Sequence, residues 1–222
     1  MKYEIILKKD IYQAFFFDMD GLLLDTEKLC WQCFKQVCSE YGYEPDFSIY
    51  KNCIGRGANE GNVVLREGFS RFIPYDEVNA KWNILYRNKI ENEPIDIKDG
   101  VSELLKTLVN INAYIAVVTS TDTALAVKKL ENSGLKDYFC ELTGGDQVEI
   151  SKPDGMIYIK AAKKAGADPS KCIAFEDSDN GVRSALNAGM AVVQVPDLIE
   201  PPDEVVKPGH IIAKSLSEIT VK

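Results

Sequence analysis

Residues 15–27 read FFFDMDGLLLDTE, and two features of this stretch decide how the chain is read. Ala14, Phe15, Phe16 and Phe17 form an apolar run without alternation, the pattern of a strand buried on both faces of a parallel sheet. Asp18, Asp20 and Gly21 follow at once, where the strand ends and a turn begins. Open α/β sheets bind ligands at the carboxyl ends of their strands, so these two carboxylates stand where chemistry is expected.

Working outward, similar runs occur at Tyr114–Thr119, Cys172–Phe175 and Ala191–Val195, with weaker ones at Cys140–Thr143 and His210–Ala213. Helical patterns at Asp122–Ser133, Asp154–Ala165 and Asp179–Asn187 separate the later runs, and Gly134 and Gly166 follow as stop signals. The alternation predicts right-handed crossovers and an α/β fold, a doubly wound (Rossmann-like) parallel sheet. The segment from Thr26 to Pro94 breaks the pattern. It reads as helices only, over Glu27–Tyr41, Asn59–Gly68 and Asp76–Glu91, the last with Val78, Trp82, Leu85 and Tyr86 on one face. It is too long for one crossover and reads as an inserted all-helical cap domain. The expected division is a core of residues 1–25 and 96–222 and a cap of residues 26–95. The run Tyr3-Glu4-Ile5-Ile6-Leu7 is expected to add an edge strand.

Composition narrows the function. The 222 residues are 45% hydrophobic and 27% charged, the balance of a globular protein, and carry a net charge of −8. An acidic chain without a long basic run argues against non-specific binding of nucleic acid or a membrane surface. Nothing approaches the roughly 18 apolar residues of a membrane span, and the first residues lack a signal-peptide pattern, so a cytoplasmic monomer is expected. The six cysteines are scattered and are expected to be reduced. Cys30-Trp31-Gln32-Cys33 has the C-x-x-C spacing, but no second ligand pair accompanies it, and buried thiols are the better reading. With His210 the only histidine, Ser-His and multi-histidine zinc mechanisms have almost nothing to work with.

The other strand ends complete a constellation. Thr119, Ser120 and Thr121 follow the second run, Ser151-Lys152-Pro153-Asp154 precedes a helix, and Glu176-Asp177-Ser178 follows the later strand. Each piece alone has a structural reading, as turn, strand end or helix cap. Together they bring carboxylates, hydroxyls and one lysine to a single sheet edge. Carboxylates so placed repel one another unless a cation sits among them, and hard oxygen donors favour Mg2+. One carboxylate can then attack phosphorus, while a second protonates the leaving oxygen and later deprotonates water.

This pattern resembles the haloacid dehalogenase-like hydrolases, in the helical-cap subgroup that includes beta-phosphoglucomutase and phosphoglycolate phosphatase. FFFDMDGLLLDTE, AVVTST, SKPDGMIY and AFEDSDNGVRSALNAGM match its four motifs, over about residues 14–195. The resemblance implies Asp18 as nucleophile, Asp20 as general acid/base, Ser120 (or Thr119, one residue away) on the phosphate, and Lys152 bridging Asp18 and the phosphate. It further implies that Asp177 binds Mg2+ beside Asp18 and the Asp20 carbonyl, with Glu176 assisting, and that the Lys152–Pro153 bond is cis. Thr121 completes the expected substrate-binding hydroxyl cluster.

The presence of Asp20 favours phosphoryl transfer over the chemistry of the dehalogenases, which lack it, and the cap type fits sugar phosphates and other small phosphorylated metabolites best. In the mutase a histidine of the first cap helix helps hold the catalytic acid, and Cys30 stands at that position here. Water is therefore favoured as acceptor, and phosphatase over mutase. Cys53-Ile54-Gly55-Arg56-Gly57 resembles the family's specificity loop, which makes Gly55 and Arg56 candidate substrate contacts. Arg87 on the last cap helix faces either cleft or solvent. A non-enzymatic phosphate-ligand-binding protein of the same fold is the remaining alternative.

Overall fold

The computed structural model describes residues 5–54, 58–198 and 210–222. Gly55 and Arg56 lie outside the described residues, as do Tyr3 and Glu4. In chain order the elements are β1 (Ile5–Leu7), β2 (Ala14–Phe17), α1 (Thr26–Glu40), α2 (Phe47–Tyr50), α3 (Ala58–Phe69), α4 (Tyr75–Asn92), α5 (Val101–Asn110) and β3 (Tyr114–Val118). They continue with α6 (Thr123–Asn132), β4 (Glu141–Thr143), α7 (Met156–Ala165), β5 (Cys172–Glu176), α8 (Asp179–Asn187), β6 (Ala191–Gln194), β7 (Ile211–Ile212) and β8 (Ile219–Val221).

The main sheet is parallel throughout, in the order β4-β3-β2-β5-β6-β7. Strand order reverses at β2, which pairs β3 on one side and β5 on the other, and ligands bind at such switch points. Register aligns Phe17 with Val117 and Phe175, so Asp18 emerges between the ends of both neighbours. Its N–H extends the ladder by donating to the Phe175 carbonyl at 3.0 Å. The absence of alternation in the Phe15–Phe17 run has its reason here. Phe15, Phe17, Ile115, Val117, Ile173 and Phe175 fill one face of the sheet. Ala14, Phe16, Ala116, Val118 and Ala174 pack on the other face with Ile157 and Tyr158 of α7 and Val182 of α8.

Helices α1 to α4 lie between β2 and β3 and carry a hydrophobic cluster of their own, built from Phe34, Tyr50, Leu65, Phe69 and Val78. Phe34 is its centre, with the Tyr50, Phe69 and Trp82 rings 5.1–5.8 Å away. The expected face of α4 is divided: Val78, Trp82 and Leu85 join this cluster, while Tyr86 packs against the core. The two chain crossings between core and cap pair with each other. Leu24 bridges Ile97, Asp25 N–H donates to the Asp96 carbonyl, and Lys98 N–H donates to the Leu23 carbonyl.

Two elements correct the sequence reading. Ile5–Leu7 is not an edge strand of the main sheet; it pairs with Ile219–Val221 in a separate two-stranded parallel sheet. Helix α5 was not anticipated, although Val101, Leu104, Leu105 and Leu108 are buried at helical spacing. No helix among the described residues is long and apolar enough to cross a membrane.

Candidate active site

A cleft of about 1100 Å³ opens over the carboxyl ends of β2, β3 and β5, lined on the core side by Asp18, Asp20, Ser120, Lys152 and Asp177. The cap side contributes Glu27, Lys51, Asn52 and Ile54. Asp18 is only 6% exposed because it ends a strand buried on both faces. Lys152 lies over it: the ammonium donates to Asp18 Oδ1 and Glu176 Oε1, each at 2.6 Å, and to the Val118 carbonyl at 3.1 Å. Its peptide bond to Pro153 is cis, as the resemblance implies. Burial disfavours the Lys152 charge, but Asp18 and Glu176 outweigh it and raise the pKa above the usual lysine value.

Glu176 is wholly buried, and Oε1 also accepts from the Tyr158 hydroxyl. A Cβ at position 181 would stand 1.9 Å from Glu176 Oε2, so this carboxylate fits only because residue 181 is glycine. Oε2 has no hydrogen-bond partner. Asp18, Glu176 and Asp177 each offer a carboxylate oxygen, and these lie within 4.8 Å of one another. Burial raises the pKa of both Asp18 and Asp177; the Lys152 ammonium opposes this, and the neighbouring carboxylates add to it. At Gly21, with φ +84°, a side chain would collide with Asp177 Oδ2 at 2.3 Å. An orphaned buried oxygen, a glycine cradle and an all-oxygen donor set fit a hard divalent cation.

Asp20 is oriented separately. Its Oδ1 accepts from the Lys129 ammonium and its Oδ2 from the Thr121 hydroxyl, both at 2.7 Å. Thr119 is buried, and its hydroxyl accepts from the Thr121 N–H at 3.1 Å, whereas Ser120 is exposed to the cleft. Thr119, Ser120 and Thr121 all line the cleft, and the Thr121 hydroxyl is turned towards Asp20. Arg87 points to solvent, its side chain 79% exposed and paired with Glu91 at 2.8 Å. None of the six cysteines, all among the described residues, is in a disulfide; Cys33 is buried and Cys30 half-buried. His210 Nε2 lies 2.8 Å from Gln194 Oε1, whose amide nitrogen donates to Asp179 Oδ1 at 3.2 Å.

Three residues here escaped the sequence reading. Tyr158 and Lys129 lie on the buried stripes of their helices, beside Ile157 and Ala161 in one case and Ala126 and Leu130 in the other. A lysine on an apolar stripe is a legible sign, because a buried ammonium needs a partner. Glu27 is the third. Burial, then Asp197 and Asp20, raise its pKa from 4.5 to about 7, with Lys129 opposing. The folded protein therefore holds a proton on Glu27 that the unfolded chain has lost, and stability falls as pH rises through this window. Glu27→Gln is expected to raise the melting temperature above pH 7 and to leave it nearly unchanged below pH 4.5, by thermal melts across pH.

Residues 15–195 match the family model of the haloacid dehalogenase-like hydrolases. The chain belongs to that family. It is 32% identical over 179 residues to a phosphorylated carbohydrates phosphatase of Thermotoga maritima, covering 80% of this chain and 82% of the relative. It is 30% identical over 190 residues to a fructose-1-phosphate phosphatase of Escherichia coli, covering 83% and 96%. Its fold matches a beta-phosphoglucomutase of Clostridium difficile with a TM-score of 0.67 over 93% of this chain and 92% of that one, at 22% identity. The protein is a phosphohydrolase of this family, with a Rossmann-like core and a helical cap.

Proposed function

We propose that the protein is a Mg2+-dependent phosphatase that hydrolyses a small phosphorylated metabolite of the sugar-phosphate type through an aspartyl-phosphate on Asp18. The observation that carries this reading is the Lys152 bridge between Asp18 and Glu176, with Asp177 beside it. Relatives at 30% and 32% identity that act as sugar-phosphate phosphatases support the substrate class. In this reading residues 26–95 form the cap and residues 1–25 and 96–222 the core.

An oxygen of Asp18 attacks phosphorus while the ester P–O bond breaks in line with it. The leaving oxygen takes a proton from the Asp20 carboxyl and departs as an alcohol. Asp20, now a carboxylate, takes a proton from water as the water oxygen attacks phosphorus. The bond to Asp18 breaks, inorganic phosphate leaves, and both aspartates return to their starting forms. Lys152 keeps Asp18 fixed and neutralises phosphoryl oxygens, and the Ser120 hydroxyl donates to one of them. Asp18, Asp177, the Asp20 carbonyl and Glu176 would hold Mg2+, which when bound offsets the carboxylate charges and the charge on the phosphoryl group. Cys30 stands where the mutase has its histidine, which supports water as the acceptor.

Free phosphate released from a panel of phosphorylated metabolites, with Mg2+ and then with EDTA, tests the reading. Release from one or a few sugar phosphates that stops with EDTA is expected. No release by folded, Mg2+-loaded protein would overturn it. Asp20→Asn should reduce kcat/KM for phenyl phosphate by about 10²–10⁴, the worth of general acid catalysis, and much less for p-nitrophenyl phosphate. Equal losses on both esters would remove Asp20 from the acid role.

A further inference from the structure

Lys129 is the residue that neither the motifs nor the proposed reaction accounts for. Its side chain is 4% exposed, on the stripe of α6 that buries Ala126 and Leu130. An ammonium in such a place loses its hydration and is tolerated only with a close partner. Among the described residues its one ion-pair partner is Asp20, at 2.7 Å. Thr121 takes the other carboxylate oxygen, so the carboxylate is gripped at both ends.

We propose that Lys129 is a positioning residue for Asp20, fixing the carboxylate that exchanges protons with the leaving oxygen and with water. The inference rests on the phosphatase reading above. Both grips come from the core: Lys129 from α6, and Thr121 from the turn after β3. A proton donor is effective only within hydrogen-bond reach of the departing oxygen, so a carboxylate free to rotate loses rate even though its chemistry is intact.

Lys129→Met keeps the apolar stem and removes the charge and the donor. The test compares kcat/KM for phenyl phosphate, whose leaving group needs a proton, with p-nitrophenyl phosphate, whose leaving group does not. Each is measured in the wild-type and Asp20→Asn backgrounds, with thermal melts to verify folding. The expected result is a selective loss of about tenfold or more on phenyl phosphate, absorbed entirely in the Asp20→Asn background, as for residues that act as one unit. An equal loss on both esters, no loss, or a loss that multiplies with Asp20→Asn would overturn the proposal. Should Lys129→Met not fold, Lys129→Gln, which retains an N–H donor, is read against the same outcomes. If the wild-type protein releases phosphate from neither ester nor any member of the metabolite panel, it is the phosphatase reading that fails, which separates the two ideas.

Discussion

Asp18→Asn is expected to abolish turnover, by at least about ten-thousandfold, while making the metal-free protein more stable at alkaline pH. The first effect follows from chemistry. An amide oxygen is a poor nucleophile towards phosphorus, and no neighbouring group occupies the same place: Glu176 is wholly buried, and Asp20 is held by Lys129 and Thr121. The second follows from linkage. Burial and the charges of Glu176 and Asp20 raise the Asp18 pKa against the opposing Lys152, so the folded protein keeps a proton that the unfolded chain has lost. Stability contributed at low pH is therefore lost as pH climbs past the ordinary aspartate value of 3.8. Asparagine has the same shape, still accepts from Lys152, and carries no charge to ionise. Activity and thermal melts across pH measure both effects. A variant that kept Mg2+-dependent turnover would remove Asp18 from the mechanism, and one less stable at high pH would contradict the electrostatic account.

Lys152→Met is expected to be damaging in both respects. The ammonium is the one cation in direct contact with both Asp18 and Glu176 among the described residues. Its removal leaves two buried carboxylates facing each other, and breaking a buried pair in this way costs about 3–5 kcal/mol. The loss should be greatest at high pH and shrink as Asp18, whose pKa is raised by burial, takes up a proton. Turnover should fall by about a hundred- to a thousandfold, the usual cost of removing a group that neutralises charge in the transition state. Chemical denaturation at two pH values, together with kcat, checks it. A loss of stability independent of pH would point to packing rather than charge.

What could be read from the sequence was what depends on neighbours in the chain. The Phe15–Phe17 run gave a strand buried on both faces, and the residues just after it gave the edge that carries the candidate site, because strand ends in a parallel sheet converge whatever the loops do. The helical insertion showed itself as a break in the alternation of strands and helices. Long-range partners were less accessible. Ile5–Leu7 finds Ile219–Val221 across nearly the whole chain, and nothing in either run names the other. Lys129 and Tyr158 reach the site from the buried faces of helices, through packing that no local motif encodes. Glu176 was expected beside the metal; its closest contacts are Lys152 and Tyr158, with one carboxylate oxygen left over for that purpose.

The central claim is a covalent intermediate on Asp18, and the stereochemical course at phosphorus tests it most directly. A thiophosphate ester made chiral with oxygen isotopes, hydrolysed in labelled water, records each displacement as an inversion. Two successive in-line displacements, first by Asp18 and then by water, predict net retention of configuration. Net inversion would mean that water attacks the substrate directly and that Asp18 is not the nucleophile.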